Sequence, residues 1–312
     1  MIFWWENQSN QCSTTLPFRS TADFPQNTGL QDKYYGLPDN SSPLALNQNH
    51  HMKKIMSVVY GVAAYALFLG AFLYLIAFYA NLGPTPIAGP ATLPPLAAVA
   101  IDLGLITLFG LQHSFMARPA FKRRWTRVIP QHLERSTYVL IAALLVVLIV
   151  AGWQPIAGDL WKATASWTIA LLAALSALGW LMIPLCSFLT DHFELFGLRQ
   201  VAEYAFGWTP AKPEFKQNAL YKKVRHPMML GFLVAFWAAP YMTVSHLLFA
   251  VAMTAYILIG IHFEERDLAE KHGQAYRDYQ ARVPKLLPIP SAEVDELAAK
   301  TEWRLPPDQL RR

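Results

Sequence analysis

The sequence predicts an all-α polytopic membrane protein with five to six transmembrane helices, cytoplasmic loops and a C-terminal cytoplasmic helix. The first observation is composition: 54% of the 312 residues are hydrophobic and 15% are charged. This is too apolar for a soluble chain of this length and too charged for membrane spans alone. The second is the alternation of long apolar stretches with polar loops. The net charge of +5 lies in those loops, so it indicates contact with a lipid bilayer and no nucleic-acid partner.

The sequence contains six apolar segments. They are predicted at about residues 58–80, 96–116, 137–153, 167–189, 228–242 and 246–262. The last two form a hairpin with a turn at residues 243–245. The fifth segment is shorter than the roughly 20 residues that a full crossing needs. Its ends therefore lie below the headgroups, or the segment does not cross completely.

Three regions are expected along the chain. Residues 1–55 are rich in Asn, Gln, Ser and Pro and lack periodicity, which predicts a disordered extension. Because the apolar pattern begins directly after Lys54, Met52 or Met56 is an alternative start. Residues 56–290 form the membrane domain, and residues 291–312 form a tail without a predicted role.

The distribution of Lys and Arg predicts the orientation in the membrane. Loops 118–135 and 190–226 carry six each, whereas loop 81–95 has none and loop 154–166 has one. Basic loops stay on the cytoplasmic side. Both termini and both large loops are therefore expected in the cytoplasm, with the protein in a bacterial inner membrane.

Two charged clusters flank the apolar hairpin. Arg225-His226-Pro227 precedes its first arm, and Glu264-Glu265 follows its second. At 1.5 Å per residue, each arm is about 22 to 26 Å long. Arms of similar length bring the chain back to the depth at which it started. The two clusters are therefore expected to meet at one membrane face, on the cytoplasmic side.

The Arg-His-Pro cluster has the features of an anion-binding site. Proline is favoured at the first helical position, and the first N–H groups of a helix lack intrahelical partners. Arg225 and His226 add donors at the same place, which predicts a seat for a carboxylate. The alternative is a basic anchor at the membrane edge.

The acidic cluster has two interpretations as well. Carboxylates at a helix C-terminus are disfavoured by the helix dipole, so Glu264 and Glu265 at such a position suggest a function. If the helix instead continues into the cytosol, both are ordinary solvated side chains. The acidic cluster is expected to meet the Arg-His-Pro segment at one depth, and this favours the functional interpretation.

Other polar side chains lie near the same face. His113 and Gln112 are near the cytoplasmic end of the second span, where an ionisable group is a functional candidate. Their alternative is hydrogen bonding between helices. His192 follows the fourth span and could contact a substrate or belong to a solvated segment. Cys12 and Cys186 are too few for a metal site, and no metal is expected.

A stretch of about 70 residues resembles a family of membrane methyltransferases. It contains Tyr221, Arg225-His226-Pro227, Glu264-Glu265, Tyr276 and Tyr279 at matching spacing. The resemblance is to the isoprenylcysteine carboxyl methyltransferase and phospholipid methyltransferase type, which use S-adenosyl-L-methionine. It implies that the cofactor is held by Tyr221, His226, Pro227, Met228, Met229 and Glu264. The prenylcysteine enzymes have an arginine where this chain has Gly260, which argues against a prenylcysteine substrate.

A second resemblance covers the middle of the chain. Segments 111–118, 134–138 and 191–200 are similar to the branch that contains bacterial methanethiol S-methyltransferase, with the NnrU and nurim proteins as relatives. It implies transfer of a methyl group from S-adenosyl-L-methionine to the small thiol methanethiol, giving dimethyl sulfide. We expect His113, Arg225 and Glu265 as catalytic residues, and Gln112 and His192 at the substrate. Another methyl acceptor and a non-catalytic membrane role remain alternatives, and the oligomeric state stays open.

Overall fold

The computed structural model describes residues 43–209 and 219–287. Within them the helices are α1 (Pro43–Tyr79), α2 (Pro95–Met116), α3 (Pro119–Trp125), α4 (Gln131–Gly152), α5 (Ser166–Thr190), α6 (His192–Leu195), α7 (Leu198–Phe206), α8 (Pro227–Trp237), α9 (Val244–His272) and α10 (Gln274–Arg282). A 3-10 helix covers Ala219–Lys222, and strands β1 (Asp159–Lys162) and β2 (Tyr241–Thr243) form an antiparallel pair. Residues 1–42 of the expected extension and the tail 291–312 lie outside the described residues.

Five helices are long and apolar enough to cross a membrane. They are the part of α1 from Asn49 to Tyr79, together with α2, α4, α5 and α9. The predicted class of a helical membrane protein with five to six spans is confirmed. One boundary differs, because helix α1 already begins at Pro43. Residues 43–55, which were expected to be disordered, are therefore helical.

The hairpin of α8 and α9 has unequal arms, and the prediction of similar lengths is wrong. Helix α8 has 11 residues and α9 has 29, so the two are about 16 and 43 Å long at 1.5 Å per residue. Pro240 explains the early end of α8, since it cannot donate a helical hydrogen bond and disfavours helix in the residue before it. The chain then continues as β2, which pairs with β1.

Helix α8 packs closely against α5. A Cβ atom on Gly179 would lie 2.5 Å from the backbone nitrogen of Ala235, and one on Gly231 would lie 2.9 Å from the carbonyl oxygen of Gly179. The Ser176 hydroxyl donates to the Ala235 carbonyl at 3.0 Å. These small residues of the fourth span therefore serve contacts within the chain, and they fix α8 in the bundle.

The helix ends gather at two rims of the bundle. The charged rim contains the C-termini of α2 and α5 and the N-termini of α4 and α8. There the Arg118 guanidinium binds Asp267 of α9 at 3.2 Å, and the Arg135 Nε donates to the Leu195 carbonyl at 2.7 Å. At the opposite rim, buried Asp102 accepts from the Gln154 backbone N–H at 2.9 Å. The hairpin opens toward the charged rim.

Candidate active site at the open end of the hairpin

The two charged clusters meet, as the sequence predicts. Arg225 Nε donates to Glu265 Oε1 at 2.7 Å, and His226 Nε2 lies 3.1 Å from the same oxygen. Lys285 Nζ lies 3.3 Å from the other oxygen of Glu265. Three basic side chains therefore converge on one carboxylate of α9. We call Tyr221, Arg225, His226, Glu264 and Glu265 the mouth of the hairpin.

Arg225 connects the mouth to α10 and to the residues that directly follow it. One guanidinium nitrogen, Nη1, donates to the carbonyl oxygens of Gln280 and Val283 at 2.7 and 2.6 Å. The backbone N–H of Arg225 donates to the Pro284 carbonyl at 2.9 Å. Arg225 and Glu265 therefore bind each other and other residues of the protein. These contacts are those of residues that position the mouth, and a catalytic role for either side chain stays a prediction.

Glu264 occupies a different environment from its neighbour. Its Oε2 atom is buried and has no hydrogen-bond partner within residues 43–209 and 219–287, although His226 Nδ1 lies 3.6 Å away. Helix α9 continues to His272, so the expectation that both acids sit at a helix C-terminus is wrong. The other interpretation, in which the helix continues and both acids are solvated, is wrong as well. Glu265 and the Oε2 atom of Glu264 are buried. A buried carboxylate oxygen of this kind suits a donor group from a ligand.

Tyrosines line the side of the mouth formed by the 3-10 helix. The Tyr279 hydroxyl donates to the Tyr221 carbonyl at 2.6 Å, which ties α10 to that helix. Burial, with the nearby Cys186, Glu264 and Tyr279, raises the pKa of Tyr221. Its hydroxyl therefore keeps its proton and can donate a hydrogen bond beside Glu264.

The first turn of α8 completes the mouth. Pro227 occupies the first position, and Pro227, Met228 and Met229 are all buried. The Leu230 N–H donates to the His226 carbonyl at 3.0 Å. The N–H groups of Met228 and Met229 precede it in the turn and have no intrahelical acceptor. They offer two donors to an anionic group.

An apolar cavity of about 160 Å³ lies next to the mouth, inside the bundle. Its wall comes from α1, α2, α4, α8 and α9 and includes Phe72, Val146, Phe232, Phe249 and Ile257. Met229 and Gly260 belong to the same wall. Met229 is in the first turn of α8, and Gly260 is one helical turn before Glu264. The cavity therefore reaches the elements that carry the mouth.

His113 and Tyr256 are the wall residues whose side chains carry nitrogen or oxygen. The His113 ring stacks on Phe109 with centroids 5.2 Å apart and faces the Tyr138 ring at 5.1 Å. His113 therefore lines the cavity beside the mouth, and its catalytic role stays a prediction. Sequence reasoning missed Tyr256, whose buried hydroxyl lies beside Ser114. Gly110 was a possible signal in the sequence for this contact. Because it lacks a side chain, the Tyr256 ring can approach α2, and a Cβ atom on Gly110 would lie 3.0 Å from Cδ2 of Tyr256.

The two expected substrate residues lie elsewhere. Gln112 is not on the cavity wall, and its Nε2 donates to Met116 Sδ at 2.9 Å within α2. His192 is held between the Tyr65 hydroxyl and the Ser187 hydroxyl, each 2.8 Å from a ring nitrogen. Burial lowers the pKa of His192, with Asp191 opposing it. Both ring nitrogens of His192 have partners, whereas Gln112 Oε1 is buried without a hydrogen-bond partner among residues 43–209 and 219–287. That either side chain binds substrate stays a prediction.

Among residues 43–209 and 219–287, no three His, Cys, Asp or Glu side chains are grouped so as to hold a metal ion.

Known proteins match most of this bundle. The family model described as NnrU protein matches residues 103–292. A methanethiol S-methyltransferase from a Pseudomonas species is 49% identical over 237 residues, which cover 75% of this chain and 91% of the relative. The methanethiol S-methyltransferase of Mycobacterium tuberculosis is 44% identical over 77% of this chain and 98% of its own length. Nurim of Xenopus laevis is 31% identical over 58% of this chain and 66% of its own length.

No solved structure matches the chain. The family match covers more than half of the sequence, and it includes α9, the first turn of α8 and most of the cavity wall. The chain belongs to the NnrU family.

Proposed function

We propose that this protein is an integral membrane methyltransferase that transfers a methyl group from S-adenosyl-L-methionine to methanethiol and so produces dimethyl sulfide. The observation that carries the proposal is the pairing of a polar mouth with an adjacent apolar cavity. Relatives that are 44% and 49% identical are named for this reaction. A charged donor and a small apolar acceptor need two adjoining environments of this kind.

The residues of the mouth fit the methyl donor. When bound, S-adenosyl-L-methionine supplies an electrophilic methyl group on a positively charged sulfur. Its amino-acid end carries a carboxylate, which suits the N–H groups of Met228 and Met229 behind Pro227. Its ammonium or its ribose hydroxyls suit the buried oxygen of Glu264, and Tyr221 offers a further hydroxyl. His226 contacts both acids at 3.1 and 3.6 Å and orients them.

The cavity fits the acceptor. The reactive form of a thiol is the thiolate, so a proton has to leave the bound thiol. A ring nitrogen of His113 is the titratable group on the cavity wall that can receive it. The apolar wall excludes water around the thiolate, and in such a site fixed dipoles act more strongly than in water. The Tyr256 hydroxyl is the second polar group within this wall.

The proposed orientation places the mouth in the cytoplasm, where the donor is found. The charged rim carries the basic loops, and such loops stay on the cytoplasmic side of a bacterial inner membrane. Reporter fusions at Lys162, in the opposite rim, and after Arg312 test this. A periplasmic signal at Lys162 and a cytoplasmic signal after Arg312 are expected, and the reverse pattern would overturn the orientation.

Headspace gas chromatography of purified protein tests the function directly. The protein in lipid nanodiscs, given methanethiol and S-adenosyl-L-methionine, is expected to release dimethyl sulfide. Calorimetry with S-adenosyl-L-methionine measures donor binding separately. Donor binding without dimethyl sulfide would indicate a different methyl acceptor. The absence of both would favour a non-catalytic membrane role of the kind expected for nurim-like proteins.

A further inference from the structure

The cavity is larger than methanethiol requires. Methanethiol has two heavy atoms, whereas the cavity measures about 160 Å³. An apolar cavity of about 150 Å³ lined by leucine, isoleucine and phenylalanine side chains stays dry and binds benzene. The volume here is therefore that of a binding site for a six-carbon ring.

The wall has the chemistry of such a site as well as the size. It consists of aromatic and aliphatic side chains from five helices, including Phe72, Phe232 and Phe249, with His113 and Tyr256 as its polar members. Aromatic walls contact a ring ligand through offset or edge-to-face arrangements. The flexible thioether of Met229 can adapt to ligands of different shape.

The polar groups define how a larger thiol would lie. His113 and Tyr256 are both on the wall, and their ring centroids are 6.4 Å apart. Gly260, on the same helix as Tyr256, lies toward the mouth. A thiol with its sulfur near these groups and Gly260 leaves its hydrocarbon part facing Phe72, Val146 and Phe249, where no charge has to be buried.

We propose that the acceptor site takes thiols up to the size of a benzene ring, including butanethiol and thiophenol, and not methanethiol alone. This inference rests on the proposed function. The thiol loses its proton, and its sulfur forms a bond to the methyl carbon as the bond between that carbon and the donor sulfur breaks with its electron pair. The products are a methyl thioether, the neutral demethylated donor and a proton, so no oxidant or reductant is involved.

A series of thiols tests the inference. From methanethiol to butanethiol, the KM is expected to fall by roughly fourfold for each added methylene, which corresponds to about 0.8 kcal/mol of apolar burial. Thiophenol is expected to give methyl phenyl sulfide, detected by gas chromatography. Binding is measured without the methyl donor by saturation-transfer fluorine NMR of fluorobenzene.

Two variants of α4 form a matched pair. Ala143 is buried on the cavity wall, and its neighbour Leu144 is 50% exposed on the outer surface. Ala143→Leu is expected to remove the fluorobenzene signal and to lower the ratio of thiophenol to methanethiol turnover by about tenfold or more, because it fills the cavity. Leu144→Phe should change neither.

The outcomes separate the two proposals. Methyl phenyl sulfide and dimethyl sulfide together, with fluorobenzene bound to the unmodified protein, support the inference even if Ala143→Leu fails to fold. Dimethyl sulfide without methyl phenyl sulfide overturns the wider acceptor range and leaves the proposed function intact. Fluorobenzene binding without methylation of either thiol overturns both.

Discussion

The mouth and the cavity are about one turn of α9 apart, yet their chemistry is opposite. At the mouth, Glu265 is contacted by Arg225, His226 and Lys285 within 3.3 Å. One turn before Glu264, Gly260 belongs to a wall of aromatic and aliphatic side chains. The difference suggests a division of labour in which the mouth holds a charged donor and the cavity holds an apolar acceptor. Within the mouth, we propose that Glu265 maintains the structure and that Glu264 binds the ligand.

The largest expected effect comes from removing the carboxylate of Glu265. Glu265→Ala leaves Arg225, whose side chain is only 10% exposed, without its ion-pair partner, and breaking a buried pair from one side costs up to about 3–5 kcal/mol. We expect a large drop in the thermal unfolding midpoint of the protein in detergent. Glu270→Ala on the same helix is the control, because its side chain is 72% exposed and it should cost no more than about 1 kcal/mol. Equal midpoints for the two variants would contradict a structural role for Glu265.

The next effect separates Glu264 from Glu265. Glu264→Gln keeps the shape of the side chain and removes its charge. We expect the affinity for S-adenosyl-L-methionine to fall roughly ten- to hundredfold, because a hydrogen bond to a charged group is worth about 1.5–3 kcal/mol. Calorimetry measures the affinity, and the unfolding midpoint should stay near that of the unmodified protein. Unchanged affinity would show that the donor does not contact Glu264.

The smallest expected effect lies in the cavity. Tyr256→Phe removes the buried hydroxyl and keeps the ring. If the hydroxyl donates to the acceptor sulfur, whose negative charge is lost as the new bond forms, kcat/KM for methanethiol should fall about two- to tenfold, as expected for a hydrogen bond of about 0.5–1.5 kcal/mol, while the affinity for the donor stays the same. Tyr241→Phe at the opposite rim is the matched control and should leave both values unchanged. A loss of donor affinity in Tyr256→Phe would contradict the separation of mouth and cavity.

The mouth could be predicted from the sequence because its charges interrupt apolar segments. Arg225-His226-Pro227 and Glu264-Glu265 stand at the two ends of a hydrophobic hairpin, where charge is costly unless it is paired. The contact between the two clusters could be predicted because a hairpin returns the chain to the rim at which it started. The lengths of the arms did not follow, because the end of α8 depends on Pro240 and on a pairing of β2 with β1, whose partners are about 80 residues apart.

The cavity could not be predicted from the sequence. Its wall combines side chains from five helices, and an apolar residue facing a cavity looks the same in sequence as one facing lipid or a neighbouring helix. Tyr256 illustrates this, since its place depends on the missing side chain of Gly110. His192 illustrates the converse, because a conspicuous imidazole is held by Tyr65 and Ser187 away from the cavity.

The position of the sulfur atom in a cryo-EM structure with bound S-adenosylhomocysteine tests the central claim most directly. The account predicts that the amino-acid end lies between Glu264, Tyr221 and the first turn of α8, with the sulfur facing Met229 and Gly260 at the edge of the cavity. A ligand bound at the opposite rim, or one whose sulfur faces away from the cavity, would contradict the account.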